Sequence, residues 1–203
     1  MTPNTQGLVD VGELIFKFAK VNRVTYLDEG VTPESDTDHT VMLSVCACAL
    51  AEKIYKDTLD LGKVAQYAIV HDLVEAYAGD TDSFGITEEG RAAKAKREEE
   101  AYHMICQKFD TVFPWIGEII GSYERMETKE ARFVKTVDKA MHKISHILNK
   151  GAYFKKRGLS EEEMWRDYTI LVRTAEQKYG AEFPEVIVIL EELMEEARKK
   201  TYA

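Results

Sequence analysis

Between Val64 and Ala78 the chain is apolar at almost every position, yet it carries His71, Asp72 and Glu75. At 3.6 residues per turn Glu75 lies four residues from His71 and three from Asp72, so a helix would bring all three side chains to one patch of its surface. A helix that is apolar nearly all round belongs in a core. A carboxylate buried there costs several kcal/mol unless it is paired or bound to metal. No lysine or arginine lies between Lys63 and Arg91 to pair with it locally. The cluster reads either as core polar groups satisfied by backbone or a neighbouring helix, or as ligands and a base gathered around a cation.

Two further groups match the second reading. His39 falls one turn before Met42 and Leu43, on the expected core face of an earlier helix, and Asp138 stands beside the stripe of a later one. A lone inward histidine is more often a core residue than a ligand, so the weight of His39 depends on what it faces. Two imidazoles and two carboxylates form a mixed nitrogen and oxygen set. Such a set suits manganese, cobalt, iron, nickel or zinc better than calcium. Four protein ligands leave positions where water and a phosphate oxygen can bind.

The elements that must position these residues are helical throughout, and the expected fold class is all-α. Residues 8 to 19 space Leu8, Val11, Leu14, Ile15 and Phe18 as one amphipathic face. A polar loop runs from Asn22 through Gly30 and Pro33 to Asp36, an expected N-cap for a helix over about 37 to 56 with Met42, Leu43, Cys46, Ala49, Leu50 and Ile54 inward. Asp60 caps the central helix and Gly79 ends it, and a turn-rich loop follows from Asp80 to Gly85. Thr87 starts a long helix to about Phe109 whose charges, Lys94, Lys96 and Arg97 among them, should form a mostly solvated face. Pro114 precedes a short segment ending near Glu124. A helix over about 127 to 149 buries Phe133, Val134, Val137, Met141, Ile144 and Leu148 and stops at Gly151. Ser160 and Glu163 form a capping box, and Pro184 opens the last helix.

The length of 203 residues and the absence of any linker point to a single domain, with a motif-bearing core at about 22–150 and C-terminal helices at about 160–199. An apolar fraction of 45% suits an ordinary globular core. The net charge of −9 argues against a duplex nucleic acid partner. Residues 1 to 10 lack the basic start and apolar run of a signal peptide, and no stretch is long enough to span a membrane, so the chain is expected to be soluble and cytoplasmic. Its three cysteines read as buried thiols of a reducing compartment.

The ordered set of Asn22-Arg23, Asp38-His39, His71-Asp72 with Glu75, Gly79-Asp80, Lys96-Arg97 with Glu100, and Val137-Asp138-Lys139-Ala140 resembles the HD-domain phosphohydrolases. Within them it is most similar to the YfbR-like 5′-deoxynucleotidases. The resemblance runs from about Asn22 to His146. It implies that His39, His71, Asp72 and Asp138 hold one divalent metal ion, with cobalt, manganese or another borderline metal expected and magnesium admissible. It implies that Glu75 positions or deprotonates the attacking water, that Arg23 orients the phosphate, that Asp80 contacts the substrate or the water network, and that Glu124 falls in a substrate-contacting stretch. It further implies a homo-oligomer. The family's nucleotidases follow this arginine with a tryptophan that packs on the sugar. Val24 stands there instead, and Tyr26 is a candidate substitute.

The expected activity is hydrolysis of the 5′-phosphate of (deoxy)nucleoside monophosphates by a metal-activated water. One alternative is a triphosphohydrolase that releases the intact polyphosphate, which would need Lys94, Lys96 or Arg97 in the site. A second is a non-catalytic, nucleotide-binding regulatory module, which would be expected to lack a ligand or Glu75.

Overall fold

Five helix starts in this protein are fixed by short side chains that accept backbone N–H groups. In the computed structural model, which describes Met1–Ala203, Thr2, Ser35, Asp60, Thr87 and Ser160 each bond an amide three residues on. They open α1 (Pro3–Phe18), α2 (Asp36–Ile54), α3 (Leu61–Val70), α5 (Glu88–Phe109) and α9 (Glu161–Tyr179). The remaining helices are α4 (Glu75–Ala78), α6 (Trp115–Glu124), α7 (Lys129–Leu148), α8 (Ala152–Arg157) and α10 (Pro184–Tyr202). The all-α expectation holds, with one addition. β1 (Asn22–Tyr26) and β2 (Pro33–Ser35) pair as a two-stranded sheet inside the expected polar loop, too short to leave an alternating pattern in the sequence. The cap of α2 also differs from expectation. Ser35 and Asp38 form a capping box, and Asp36 is already helical and fully buried.

The chain forms two compact units, one of residues 1–22 and 35–131, the other of residues 23–34 and 132–203. In the first, Leu14 and Phe18 of α1, Val70 of α3, Leu73 and Val74, Ala101, Ile105 and Phe109 of α5, and Ile116 and Ile120 of α6 make one core. Burying aliphatic and aromatic side chains of this size stabilises by about 1.5–3 kcal/mol each. The α1 face is rotated from the one expected, since Leu8 is 66% exposed and Ile15 39%. On α2 the buried residues are Asp36, His39, Thr40, Leu43, Ala47 and Ala51, whereas Ala49 is exposed.

In the second unit α7 buries Phe133, Val134, Val137 and Met141 as expected, but Leu148 is 70% exposed. Lys143, Ser145, His146 and Asn149 are buried instead, because α7 is enclosed on more than its apolar stripe. Arg132 donates from Nε and Nη2 to the two oxygens of Glu182, both at 2.8 Å, and Phe133 meets Phe183 edge-on. Gly151 has φ 68°, and a Cβ there would come within 2.3 Å of Thr201, so glycine is required where α8 starts against α10.

Candidate metal centre

The segment expected as one helix from Val64 to Ala78 is broken at the residues of interest. α3 ends at Val70, and Leu73, Glu75 and Ala76 donate to carbonyls three residues back rather than four. This tightened turn carries His71 and Asp72 before α4 begins at Glu75. Such local tightening re-aims side chains that a regular helix would spread around its axis. Gly79, at φ 72°, then ends α4 and sends the chain into the loop that bears Asp80.

His71 donates from Nδ1 to the Ala68 carbonyl at 2.9 Å, since a carbonyl can only accept. That bond turns Nε2 inward, where it lies 3.0 Å from Asp72 Oδ2. His39 projects from the neighbouring α2, its Nε2 3.9 Å from the same oxygen and its ring 5.2 Å from that of His71. The three ligand atoms all lie within 4.8 Å of one another, and both imidazoles are 2% exposed. Metal–nitrogen and metal–oxygen bonds of about 2.1 Å place ligands roughly 3.0 Å apart at right angles and 4.2 Å apart when opposed. Two imidazole nitrogens and a carboxylate at these separations, with one ring oriented by a backbone carbonyl, fit a divalent ion.

The charge around the cluster agrees. Burial, then the Asp72 carboxylate, push Glu75 up to about 9, Lys94 opposes them, and Asp80 and Asp36 push the same way as Asp72. Ionising Glu75 in these surroundings takes added positive charge nearby, which a divalent ion would supply. Glu75 is 1% exposed, and its Oε1 accepts from Lys94 Nζ at 3.1 Å. Lys94 also lies 3.3 Å from Glu98 Oε1. Burial works to lower the Lys94 ammonium, but Glu75 and Glu98 outweigh it and raise it. Tyr123 closes the cluster from α6, its ring edge-on to His71.

The expected solvated face of α5 therefore needs correction at Lys94. Lys96 is out in water beside Glu100, as expected, whereas Lys94 is 28% exposed and turned to Glu75. A signal was present: the buried stripe Ala101, Ile105, Phe109 extended back along α5 passes Glu98 and then Lys94. Asp80 sits half-buried in the loop after Gly79, and Glu124 is exposed at the end of α6.

Arg23 and Asp138 belong to the second unit. Arg23, on β1, holds its Nε 3.9 Å from Glu34 Oε1, and the buried Glu34 accepts from Ser145 Oγ at 2.7 Å. Asp138 is 14% exposed on α7, with Lys139 Nζ 3.1 Å from its Oδ2. Tyr26, the candidate substitute for a sugar-packing tryptophan, has one ring face covered by Lys156 Nζ at 4.3 Å. No helix is long and apolar enough to cross a membrane.

Residues 17–179 match the HD-domain family. The 5′-deoxynucleotidase HDDC2 of Mus musculus is 30% identical over 135 residues, 65% of this chain and 64% of that protein. The protein of the same name from Homo sapiens is 29% identical over 66% of this chain and 63% of its own length. The matched stretch thus spans a little under two thirds of these relatives. A predicted metal-dependent phosphohydrolase from Magnetospirillum magnetotacticum MS-1 shares the fold, with a TM-score of 0.76 at 22% identity over 98% of this chain and 97% of that one. A match that takes in the histidine of α2, the tightened turn and the aspartate of α7 means that the chain belongs to the HD-domain family.

Proposed function

We propose that this protein is a divalent-metal-dependent phosphohydrolase that converts (deoxy)nucleoside 5′-monophosphates to nucleoside and inorganic phosphate. The observation that carries the reading is the cluster of His39, His71 and Asp72 with the buried Glu75 one turn away. The 5′-deoxynucleotidase name of the mouse and human relatives supports the substrate class.

In this reading His39, His71 and Asp72 are ligands, and Asp138 is the fourth. When bound, the divalent ion supplies charge neutralisation for the phosphate and acidifies water in its shell. Cobalt or manganese suits the mixed donor set, with magnesium the harder alternative. Glu75 accepts the proton of the attacking water, whose oxygen forms the new bond to phosphorus as the bond to the 5′-oxygen breaks. The same carboxyl can return that proton to the leaving alcohol. Arg23 orients the phosphate through charge-assisted hydrogen bonds, Asp80 orders the water or the substrate, and Glu124 contacts the substrate. Nothing in this scheme uses duplex nucleic acid or a membrane, and the protein works as a cytoplasmic homo-oligomer.

One observation bears on the triphosphate alternative, since Lys94 does reach Glu75. It adds little free positive charge, because two carboxylates already lie within 3.3 Å of its ammonium. A monophosphate carries about two charges and a triphosphate roughly twice that, which favours the smaller substrate. Phosphorus NMR of paired mono- and triphosphates with manganese or cobalt decides between them. Inorganic phosphate from the monophosphate should be the faster product. Faster release of intact tripolyphosphate would replace this reading, and binding without turnover of either would favour the regulatory module.

A further inference from the structure

Three basic residues of α5 hold the segment that follows the tightened turn. Arg91 donates from Nη2 to the Ile86 carbonyl at 3.2 Å, and Arg97 donates from Nη2 to Thr81 Oγ1 at 2.7 Å. Between them Lys94 donates to Glu75 Oε1 at 3.1 Å, and Glu98, one turn further along α5, stands 3.3 Å behind its ammonium. Residues three apart on a helix share a face, so one face of α5 is committed to the segment 75–86 at three points. The middle point is the one that touches Glu75.

We propose that Lys94 is a positioning residue for Glu75, with Glu98 fixing the lysine in turn, so that α5 sets where the Glu75 carboxylate stands. The inference rests on the reading of Glu75 as the base. Carboxylate torsions are soft, with the terminal torsion of glutamate broad rather than locked in one staggered well. Glu75 lies in α4, a helix of four residues whose start has no side-chain cap, so its own element holds it weakly. A charge-assisted bond from the longer, side-chain-capped α5 adds a constraint that α4 alone does not give. Using Lys94 to bind the phosphate instead would mean displacing one of the two carboxylates already beside its ammonium.

The test is a double-mutant cycle on the metal-loaded enzyme with a nucleoside 5′-monophosphate, comparing wild type, Lys94→Met, Glu75→Gln and the pair. Lys94→Met should lower kcat by about 10- to 100-fold with KM within roughly threefold, and the pair should be no slower than Glu75→Gln alone. Lys94→Arg should recover part of the loss, and it keeps the test open if the methionine variant folds poorly. Manganese affinity measured by calorimetry should stay within about threefold in Lys94→Met, because no ligand is removed. Losses that add in the pair, or a raised KM with kcat intact, would move Lys94 onto the phosphate and overturn the proposal. So would wild-type turnover in Lys94→Met. If the wild type hydrolysed no nucleotide, the phosphohydrolase reading would fall by itself. Coupling between residues 75 and 94 would then be read from the same four proteins by urea unfolding, where zero coupling would overturn the contact's role.

Discussion

Lys94 and Lys143 both leave bulk water, and their surroundings treat them in opposite ways. Lys94, in the first unit, is met by Glu75 and Glu98, which overcome the cost of burial and raise it. Lys143, in the second, is 0% exposed. Its Nζ donates to the Lys139 carbonyl at 2.9 Å, stands over the Tyr168 ring at 4.6 Å and lies 3.4 Å from His142 Nε2. Burial, then Lys139, push Lys143 down to about 7, with Asp167 and Asp138 resisting. His146 beside it is pushed to about 3 by burial and by Lys143, and its Nδ1 meets the Tyr168 hydroxyl. The same side chain is thus kept charged where charge is wanted and pressed toward neutrality where it is only packing. What separates the two is their company: Lys94 faces the carboxylate of Glu75 beside the candidate ligands, whereas Lys143 packs against Tyr168 and His142 with no carboxylate in contact.

If that contrast is right, substitutions on the two sides should differ in kind. The largest effect is expected from His71→Ala, which should lose the divalent ion by elemental analysis and abolish phosphate release. At free metal of 100 times Kd it should also forfeit about 2.7 kcal/mol of metal-linked stability in thermal melts. Glu75→Gln should keep both metal and fold while slowing turnover by about 100- to 10,000-fold, the usual contribution of a general base. Wild-type turnover in that variant would make Glu75 as structural as Lys143. Arg23→Ala should weaken kcat/KM by about 2 kcal/mol through loss of a charge-assisted contact, read by steady-state kinetics.

The smallest effect on activity belongs to Lys143→Met, with kcat expected within about threefold of wild type. Stability should instead rise, by about 1 kcal/mol or more near neutral pH, since an apolar side chain replaces a buried amine. The pH dependence carries the sharper test. The folded value of about 7 lies below the ordinary 10.5, so between those values the unfolded chain holds a proton that the folded chain does not. Wild-type stability should therefore gain a component that grows from about pH 7 to 10.5, and Lys143→Met should lack it in urea titrations.

The sequence made the helices, their caps and the His-Asp cluster legible because each rests on short-range chemistry. Thr87, Asp60 and the Ser160 box are local hydrogen bonds, and His71, Asp72 and Glu75 stood out as charge inside an apolar run. Less visible was anything set by a partner distant in sequence. Lys94 and Glu75 are 19 residues apart, and their contact depends on how α4 and α5 pack. The burial of Lys143 and exposure of Leu148 depend on which faces of α7 are covered, and hydrophobicity along one helix does not encode that. The break at His71–Val74 was hidden because three-residue and four-residue hydrogen bonding give the same apolar pattern over so short a span.

The way β1 and β2 are tied to α7 has a mechanical consequence. Ser145 bonds Glu34, which faces Arg23, and Asn149, just past the helix end, donates from Nδ2 to the Tyr26 carbonyl at 2.7 Å. Asp138 projects from that same helix, seven residues and so about 10 Å along the axis from Ser145. The arginine proposed to hold a phosphate and the aspartate proposed to hold a metal ion therefore share one stiff carrier. Thermal displacement of α7 would shift both together, leaving the separation of Arg23 and Asp138 largely unchanged.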